Sequence, residues 1–543
     1  MLFKLLKGVK QYKQNQYLKQ QELLKKLQQG QHPSTLFITC ADSRIVPSLL
    51  THSEPGKLFM TRNVGALVPT DDKSSLSMDA VLEYALKGLG VKQIILCGHS
   101  HCGAMHGLQQ ENLEETLPNT AAWLQAVKSN ITNSSVDTNS LEQITRESIK
   151  QQFNQLNAHS LVREYIQAGQ LAVFAWHYYF ETGEVYYYSP EEKQFNLYDP
   201  SQEHGLSFDV TLKEGLNYFQ QHLYPQQQTL FKNLAHGQKP SVYFVTCSDS
   251  RVAPADFLQA DPGEVFITRN IGNMVPPWRE GQISGEAAAL EFALKQLEIK
   301  DIVVCGHSEC GAMNGLADLQ QIQHFPQVSS WLKQNTPEST TKTASIPELT
   351  RQNTLNQIAN IKSYPTVQEK IAAKELNVHA WYYDFAQGEV YIYHEQQHAF
   401  LDLETSITQA LSSTLMSTRI HEFVQKKVTA FVETLLRTQR LDEAKNLVTQ
   451  LRLTGSVTAI WDYIGEECER ELWSEYGELC DNIHDSRFVY LIAEAKKTVL
   501  NLDSVQQQLE HKARSPSATG FGLFQITPEV LAAKNECCRC SLM

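Results

Sequence analysis

The chain has 543 residues, 42% of them hydrophobic and 20% charged, and carries a formal net charge of −13. At about 100–200 residues per domain it should divide into several cores, and its composition is that of a globular protein, not of a disordered or membrane-spanning one. The acidic balance excludes a nucleic-acid partner, whose phosphates call for a basic surface.

The opening segment MLFKLLKGVKQYKQNQYLKQQELLKKLQQ spaces Leu among Lys and Gln at helical intervals and predicts an amphipathic helix; it lacks the unbroken apolar core of a secretion signal. No run of roughly 18 apolar residues, the length needed to span a bilayer, occurs in the chain. Next comes LFITCADSR at 36–44, a short apolar strand running into polar residues, then FMTRNVGALVP from Phe59 and ILCGHSHCGAM from Ile95. All three return later in the same order, as YFVTCSDSR at 243–251, FITRNIGNMVP from Phe266 and VVCGHSECGAM from Val303. The chain is therefore an internal repeat.

Within each copy, apolar runs such as KQIIL and DIVV alternate with helix-period segments such as MDAVLEYALKGL and EAAALEFALKQL, the pattern of an α/β fold with a mainly parallel sheet. Each copy closes on an alternating aromatic stretch around a turn, FAWHYYFETGEVYYY and HAWYYDFAQGEVYIY, which predicts a β-hairpin. The copies span residues 1–203 and 204–404. From 405 to 530 the pattern changes: Phe423, Val424, Val428, Phe431, Val432, Leu435 and Leu436 keep a three-four spacing, which predicts a helical domain. A loop-like SPSATGFG stretch leads to a Cys-rich tail at 531–543.

The chemistry sits in the repeated motifs. Cys40, Asp42 and Arg44 alternate after a strand, so in an extended chain all three project to one side. His99 and Cys102 follow another strand, where a Gly-containing loop should open into a helix whose N-terminus favours a thiolate. Cys247, Asp249, Arg251, His307 and Cys310 repeat the set. Two thiolates and one imidazole suit Zn²⁺, one ion per repeat, and three protein ligands leave the fourth tetrahedral position open for activated water. Such a carboxylate, held by its arginine, is placed to accept the proton of that water. A structural zinc is the competing reading, but structural sites normally have four ligands and only three recur. His101 becomes Glu309 and His106 becomes Asn314 in the second copy, so neither is a required ligand. Cys97 and Cys305 end apolar strands and read as small core residues, although spacing alone leaves them open as ligands. Trp176 and Trp381 read as packing aromatics.

With C-x-D-S-R paired to G-H-x-x-C-G, together with RNIGNMVPP and CGHSECGAM, both copies resemble the β-carbonic anhydrase family over about three quarters of the chain. The resemblance implies two tandem domains forming a pseudo-dimer, zinc on Cys40, His99 and Cys102 and on Cys247, His307 and Cys310, and catalytic dyads Asp42–Arg44 and Asp249–Arg251. It also implies that Gln31 and Gln238, each nine residues before its motif cysteine, donate a hydrogen bond to bicarbonate. The expected activity is reversible hydration of CO₂ to bicarbonate, with carbonyl sulfide or carbon disulfide as alternative substrates. A dimer of pseudo-dimers is a further expectation. A different class, an interaction protein whose helical region binds a protein partner beside silent zinc domains, is disfavoured by intact dyads in both copies.

The last four residues, Cys540 to Met543, match a prenylation box, and Cys537 and Cys538 are placed to take a second lipid. Since most of the eleven cysteines lie beside His or Asp or in this tail, they do not form a disulfide framework. The expectation is a cytoplasmic protein, tethered to membrane by its C-terminal lipid in a eukaryotic or host cell.

Overall fold

The computed structural model of the chain describes residues 2–69, 76–132, 137, 139–199, 209–318, 320–337, 345–412, 414–438, 440–454, 457, 461–477, 480 and 486–496. The SPSATGFG segment and the tail cysteines Cys537, Cys538 and Cys540 lie outside the described residues. Two compact units divide the chain, one ending at Ile407 and the other beginning at Thr408.

The first unit is built on one twelve-stranded sheet. In the first repeat, β1 (Thr35–Cys40) is flanked by β2 (Leu58–Asn63) and β3 (Gln93–His99), and β3 by β4 (Ala172–Tyr179), all parallel. An antiparallel pair, β5 (Glu184–Ser189) and β6 (Gln194–Leu197), extends the edge. The second repeat reproduces this with β7 (Val242–Cys247), β8 (Val265–Asn270), β9 (Asp301–His307), β10 (Asn377–Asp384), β11 (Glu389–His394) and β12 (Ala399–Leu401). The predicted hairpins are present as β4–β5 and β10–β11, each with a third strand added.

Every residue of β1, β3, β7 and β9 is buried, because helices cover both faces of a parallel sheet and its central strands need no polar side. Helix Leu141–Ala158 packs on β3 and β4, and helix Ile346–Lys362 on β9 and β10. Trp176 and Trp381 are wholly buried, edge-on to Phe37 and Phe244, as packing residues should be. Cys97 and Cys305 are fully buried on their strands, where burial pushes both thiols well above the ordinary range.

The repeats meet where β2 and β8 pair antiparallel at Arg62 and Arg269. Four backbone bonds reinforce the seam as two reciprocal pairs: Met60 N donates to Ser248 O and Ile267 N to Ala41 O, while Gly56 N donates to Ser250 O and Gly263 N to Ser43 O. Buried carboxylates cross it as well. Glu83 accepts from the amides of Gln327 and Val328 at one helix start, and Glu291 accepts from the amide and hydroxyl of Thr120 at another. These first-turn amides have no partner inside their own helix, so each carboxylate satisfies donors that only the other repeat supplies.

The N-terminal arms are exchanged. Helices Leu2–Gln14 and Gln16–Leu27 belong to the first repeat by sequence but dock on the second: Tyr12 Oη lies 3.1 Å from Tyr383 Oη, and Tyr17 donates to Ala386 O at 2.7 Å. Leu5, Leu6 and Val9 on the predicted apolar face are buried, each contributing about 1.5–3 kcal/mol. Helices Val210–Tyr218 and Tyr224–Leu234 dock reciprocally on the first repeat, where Tyr224 donates to Glu181 O. A glycine makes each approach possible. A Cβ at Gly8 would stand 1.8 Å from Leu258 O, and one at Gly215 1.8 Å from Thr51 O.

The second unit is helical, as its spacing predicts. Helices Thr414–Arg437, Leu441–Thr454, Trp461–Tyr476 and Ser486–Lys496 pack together, with Val424, Val428 and Val432 buried along the first and Leu472 and Leu491 facing inward from others. No described helix is long and apolar enough to cross a membrane.

Candidate metal centres

Each repeat brings two cysteines and one histidine together, all three ligand atoms lying within 4.8 Å of one another: Cys40, His99 and Cys102 in one, Cys247, His307 and Cys310 in the other. The first cysteine ends a central strand, the histidine ends the neighbouring parallel strand, and the second cysteine immediately precedes a short helix. The cages thus form at the carboxyl ends of adjacent strands, where loops leave an α/β sheet. All six side chains are buried.

The donor set fits a metal. His99 Nδ1 sits 2.8 Å from Ser100 O and His307 Nδ1 2.8 Å from Ser308 O, which fixes each ring with its proton on Nδ1. That leaves Nε2 of both rings as a bare acceptor, buried and without a hydrogen-bond partner, an arrangement that burial penalises unless a cation takes the lone pair. The Cys40 thiol is held low by the Cys102 thiol, against the cost of burial, and by His99; Cys247 is held low in the same way by Cys310 and His307. The amide of Gly65 points at Cys40 Sγ from 3.4 Å, and Gly272 at Cys247 Sγ from the same distance. Both glycines adopt positive φ, 82° and 74°, to aim that amide.

Beside each cage lies a carboxylate that its arginine grips with two nitrogens. Arg44 Nε and Nη2 donate to Asp42 at 2.9 and 2.7 Å, and Arg251 donates to Asp249 at 2.8 and 2.7 Å. The geometry differs from the extended chain expected from sequence. β1 ends at Cys40, and Asp42 to Arg44 form a turn in which Ile45 N donates to Asp42 O; curling back lets the guanidinium reach its own motif's carboxylate. Burial is the largest single influence and opposes ionisation of Asp42, but the Arg44 charge, the nearby His99 and the hydrogen bonds from Arg44 together outweigh it and take the carboxyl down to about 2; Asp249 is lowered likewise. Asp42 Oδ2 and Asp249 Oδ2 each stand 3.9 Å from the histidine Nε2 of their site.

Gln31 and Gln238 also reach these sites, each entering the site of the opposite repeat. Gln238 Nε2 donates to Asp42 Oδ2 at 2.8 Å and its Oε1 accepts from Ser43 N and Oγ; Gln31 does the same with Asp249 and Ser250. The arm that carries Gln238 also supplies Leu234 O to Arg44, and the other arm supplies Leu27 O to Arg251. Each cage is therefore ligated by one repeat and finished by the other. His101 and His106 stand outside both ligand sets, as their replacement in the second copy implied.

Sequence reasoning passed over several contributors. Arg62 and Arg269 donate from their strands to the carbonyls of Cys40 and Asp42 and of Cys247 and Asp249, bracing both motif turns. Phe180 and Phe385 lie under the dyad guanidiniums at 4.7 and 4.9 Å. Tyr84 and Phe292 open a single π-helical turn at equivalent places in the two repeats, a helical irregularity common at functional sites. The TRN triplets held the signal for the arginines, and Phe180 and Phe385 recur at equivalent places in the two closing aromatic stretches; Tyr84 and Phe292 differ between copies and gave none.

The family model described as Carbonic anhydrase matches residues 35–185 and again 242–390. Among curated proteins, the carbonic anhydrase of Synechocystis is 38% identical over 208 residues, covering 36% of this chain and 75% of that protein. Beta carbonic anhydrase 3 of Arabidopsis thaliana is 31% identical over 213 residues, covering 37% of this chain and 80% of its own length. A solved structure titled as the β-carbonic anhydrase CcaA shares 38% identity over 35% of this chain and 90% of its own, with a TM-score of 0.33. The chain belongs to the carbonic anhydrase family, in its β class, and carries the family's unit twice in tandem. Both glutamines lie just before the matched stretches.

Proposed function

We propose that the chain catalyses the reversible hydration of CO₂ to bicarbonate at two zinc sites, Cys40–His99–Cys102 and Cys247–His307–Cys310. The observation that carries the reading is the pairing, twice over, of a three-ligand cage with an arginine-held carboxylate 3.9 Å from the ligating imidazole nitrogen. Zinc in such a cage supplies Lewis acidity, lowering the pKa of water from about 15.7 towards roughly 7.

The protein's own groups do the rest. With a pKa near 2, Asp42 stays ionised throughout the physiological range and acts as a hydrogen-bond acceptor that orients the attacking oxygen, since so weak a base does not hold the proton. Asp249 has the same role in the second site. Gln238 uses one amide hydrogen on Asp42; the second is free to donate to a bicarbonate oxygen. Val64, Ala104 and Phe266 line the first site with apolar surface suited to CO₂.

A stopped-flow CO₂ hydration assay on the metal-analysed chain, near pH 7 and pH 8.5, tests the reading. Absence of turnover with zinc bound at both sites would remove it. Carbonyl sulfide and carbon disulfide in the same assay separate the alternative substrates. The lipid-anchored, cytosolic setting rests on the tail motif alone: Cys540→Ser in a tagged chain should move it into the soluble fraction of eukaryotic cells, and unaltered membrane association would discard it.

A further inference from the structure

The peptide unit between Val64 and Gly65 is engaged at both ends. Its N–H points at Cys40 Sγ from 3.4 Å, and its carbonyl accepts from the indole Nε1 of Trp123 at 2.9 Å. The second repeat reproduces the relay: Trp331 Nε1 donates to Ile271 O at 2.9 Å, and the Gly272 N–H of the same peptide points at Cys247 Sγ. A peptide unit is planar, with carbonyl and N–H on opposite sides, so an indole that fixes the oxygen also fixes where the hydrogen is aimed. The aim needs fixing, because a glycine moves between backbone states at little cost. Asn63 and Asn270 clasp the same turns two residues on, at Leu67 and Met274. Both indoles are buried, and each comes from a helix anchored across the seam. Trp123 lies on Pro118–Thr132, whose first turn Glu291 caps, and Trp331 on Pro326–Asn335, whose first turn Glu83 caps. The far edge of the Trp123 ring also meets the second repeat, 3.1 Å from where a Cβ on Gly285 would be.

We propose that Trp123 and Trp331 are positioning residues that set the charge on the first cysteine of each cage, acting through the Val64–Gly65 and Ile271–Gly272 peptides. The inference rests on the reading that each cage holds an ion. A hydrogen bond to a thiolate draws electron density from the sulfur, which then donates less to a metal and leaves it a stronger Lewis acid. The indole strengthens that bond, because hydrogen bonds in a chain polarise one another where the dielectric is low. Any buried indole needs an acceptor; in both repeats it takes the one carbonyl that shares a peptide with the sulfur-facing N–H.

The test is the sulfur-to-cobalt charge-transfer band of the full chain loaded with Co²⁺, recorded in a Cys247→Ser background so that only the first site holds metal. Trp123→Phe keeps a ring and deletes the N–H. The band should move to longer wavelength, since a sulfur with a weaker hydrogen bond gives up electrons more readily. Trp331→Phe in the same background should leave the band in place. In a Cys40→Ser chain the two roles should reverse, which gives an independent reading should one variant not fold. Val127→Ala, a buried change on the same helix as Trp123, controls for lost packing: it should lower the urea midpoint without moving the band. A band that stays in place in Trp123→Phe, that shifts as far in Val127→Ala or Trp331→Phe, or that never forms because cobalt does not bind would each overturn the proposal. Absence of CO₂ hydration from a zinc-loaded chain whose cobalt band shifts as expected would instead count against the enzymatic reading.

Discussion

Gln31 and Asp249 are 218 residues apart in sequence, belong to different repeats, and are joined by a 2.8 Å hydrogen bond. Its mirror image, Gln238 to Asp42, has the same length. Each glutamine should therefore matter to the site on the other repeat. In a Cys40→Ser chain, which retains the second site, Gln31→Ala should lower kcat/KM roughly ten- to hundredfold, the cost of one hydrogen bond to a charged group. In a Cys247→Ser chain the same substitution should change kcat/KM less than twofold. The opposite pattern in stopped-flow assays would show that the arms do not exchange.

Metal content gives an independent reading of the cages. Cys40→Ser and Cys247→Ser should each remove about one zinc per chain, measured by plasma mass spectrometry on the dialysed protein. A three-ligand site that loses a thiolate keeps too few donors to hold the ion. A chain that retains both ions after either change would exclude that cysteine as a ligand.

Separated repeats should fail for a structural reason. Residues 1–203 alone would lose the β8 partner of β2, the Glu291 cap on Thr120, and Gln238. A monomeric half, identified by sedimentation, should show less than a tenth of the intact chain's CO₂ hydration per site. A half that self-associates should recover activity, because its own arm and strand can stand in for the missing ones.

Arm docking depends on Gly8. Replacing it with Val puts a side chain into the carbonyl of Leu258, which is backbone and cannot turn aside. The expected cost is about 1–3 kcal/mol, the usual range for overpacking, read by urea unfolding. Second-site activity should fall more than first-site activity, since the displaced arm carries Gln31.

Asp256, on the helix Pro254–Leu258 under the same arm, supplies a pH dependence. Burial raises its carboxyl from 3.8 to about 6. The folded chain therefore holds a proton that the unfolded chain has released between these values, so this group's contribution to stability falls as pH rises from about 4 to 6 and is level above. Its side chain keeps some solvent contact, which limits the effect to on the order of 1–2 kcal/mol. Asp256→Asn should match the unmodified chain near pH 4 and exceed it by that amount at pH 7 to 8 in urea unfolding.

Much of this was legible from the residues. Comparing the chain with itself singled out Cys40, His99 and Cys102 and their counterparts, because a cage must be repeated intact while His101 and His106 were free to change. Strand-end placement followed from apolar runs that stop at the motif. The exchange of arms was not legible: an internal alignment says which residues are equivalent, but Gln31 sits the same nine residues from its motif whichever site it enters. The turn of Asp42 towards Arg44 was missed because alternation predicts direction only while the strand continues, and β1 stops two residues earlier. Tyr84 and Phe292 escaped notice as neighbours of the sites since both read as apolar-face aromatics on matching helices, and only the fold sets them against Gly311 and Gly103 of the opposite motif.

The single sheet running through both repeats also governs how the protein can change. In a pair of identical chains, any substitution at a shared boundary lands on both sides at once, and a change that helps one pocket is imposed on its twin. Joining the halves covalently lifts that constraint while guaranteeing one of each in every molecule. Tyr84 and Phe292, unlike residues at equivalent places, show what such freedom allows: two candidate metal sites, each walled by its neighbour, that can change separately without ever losing their partner.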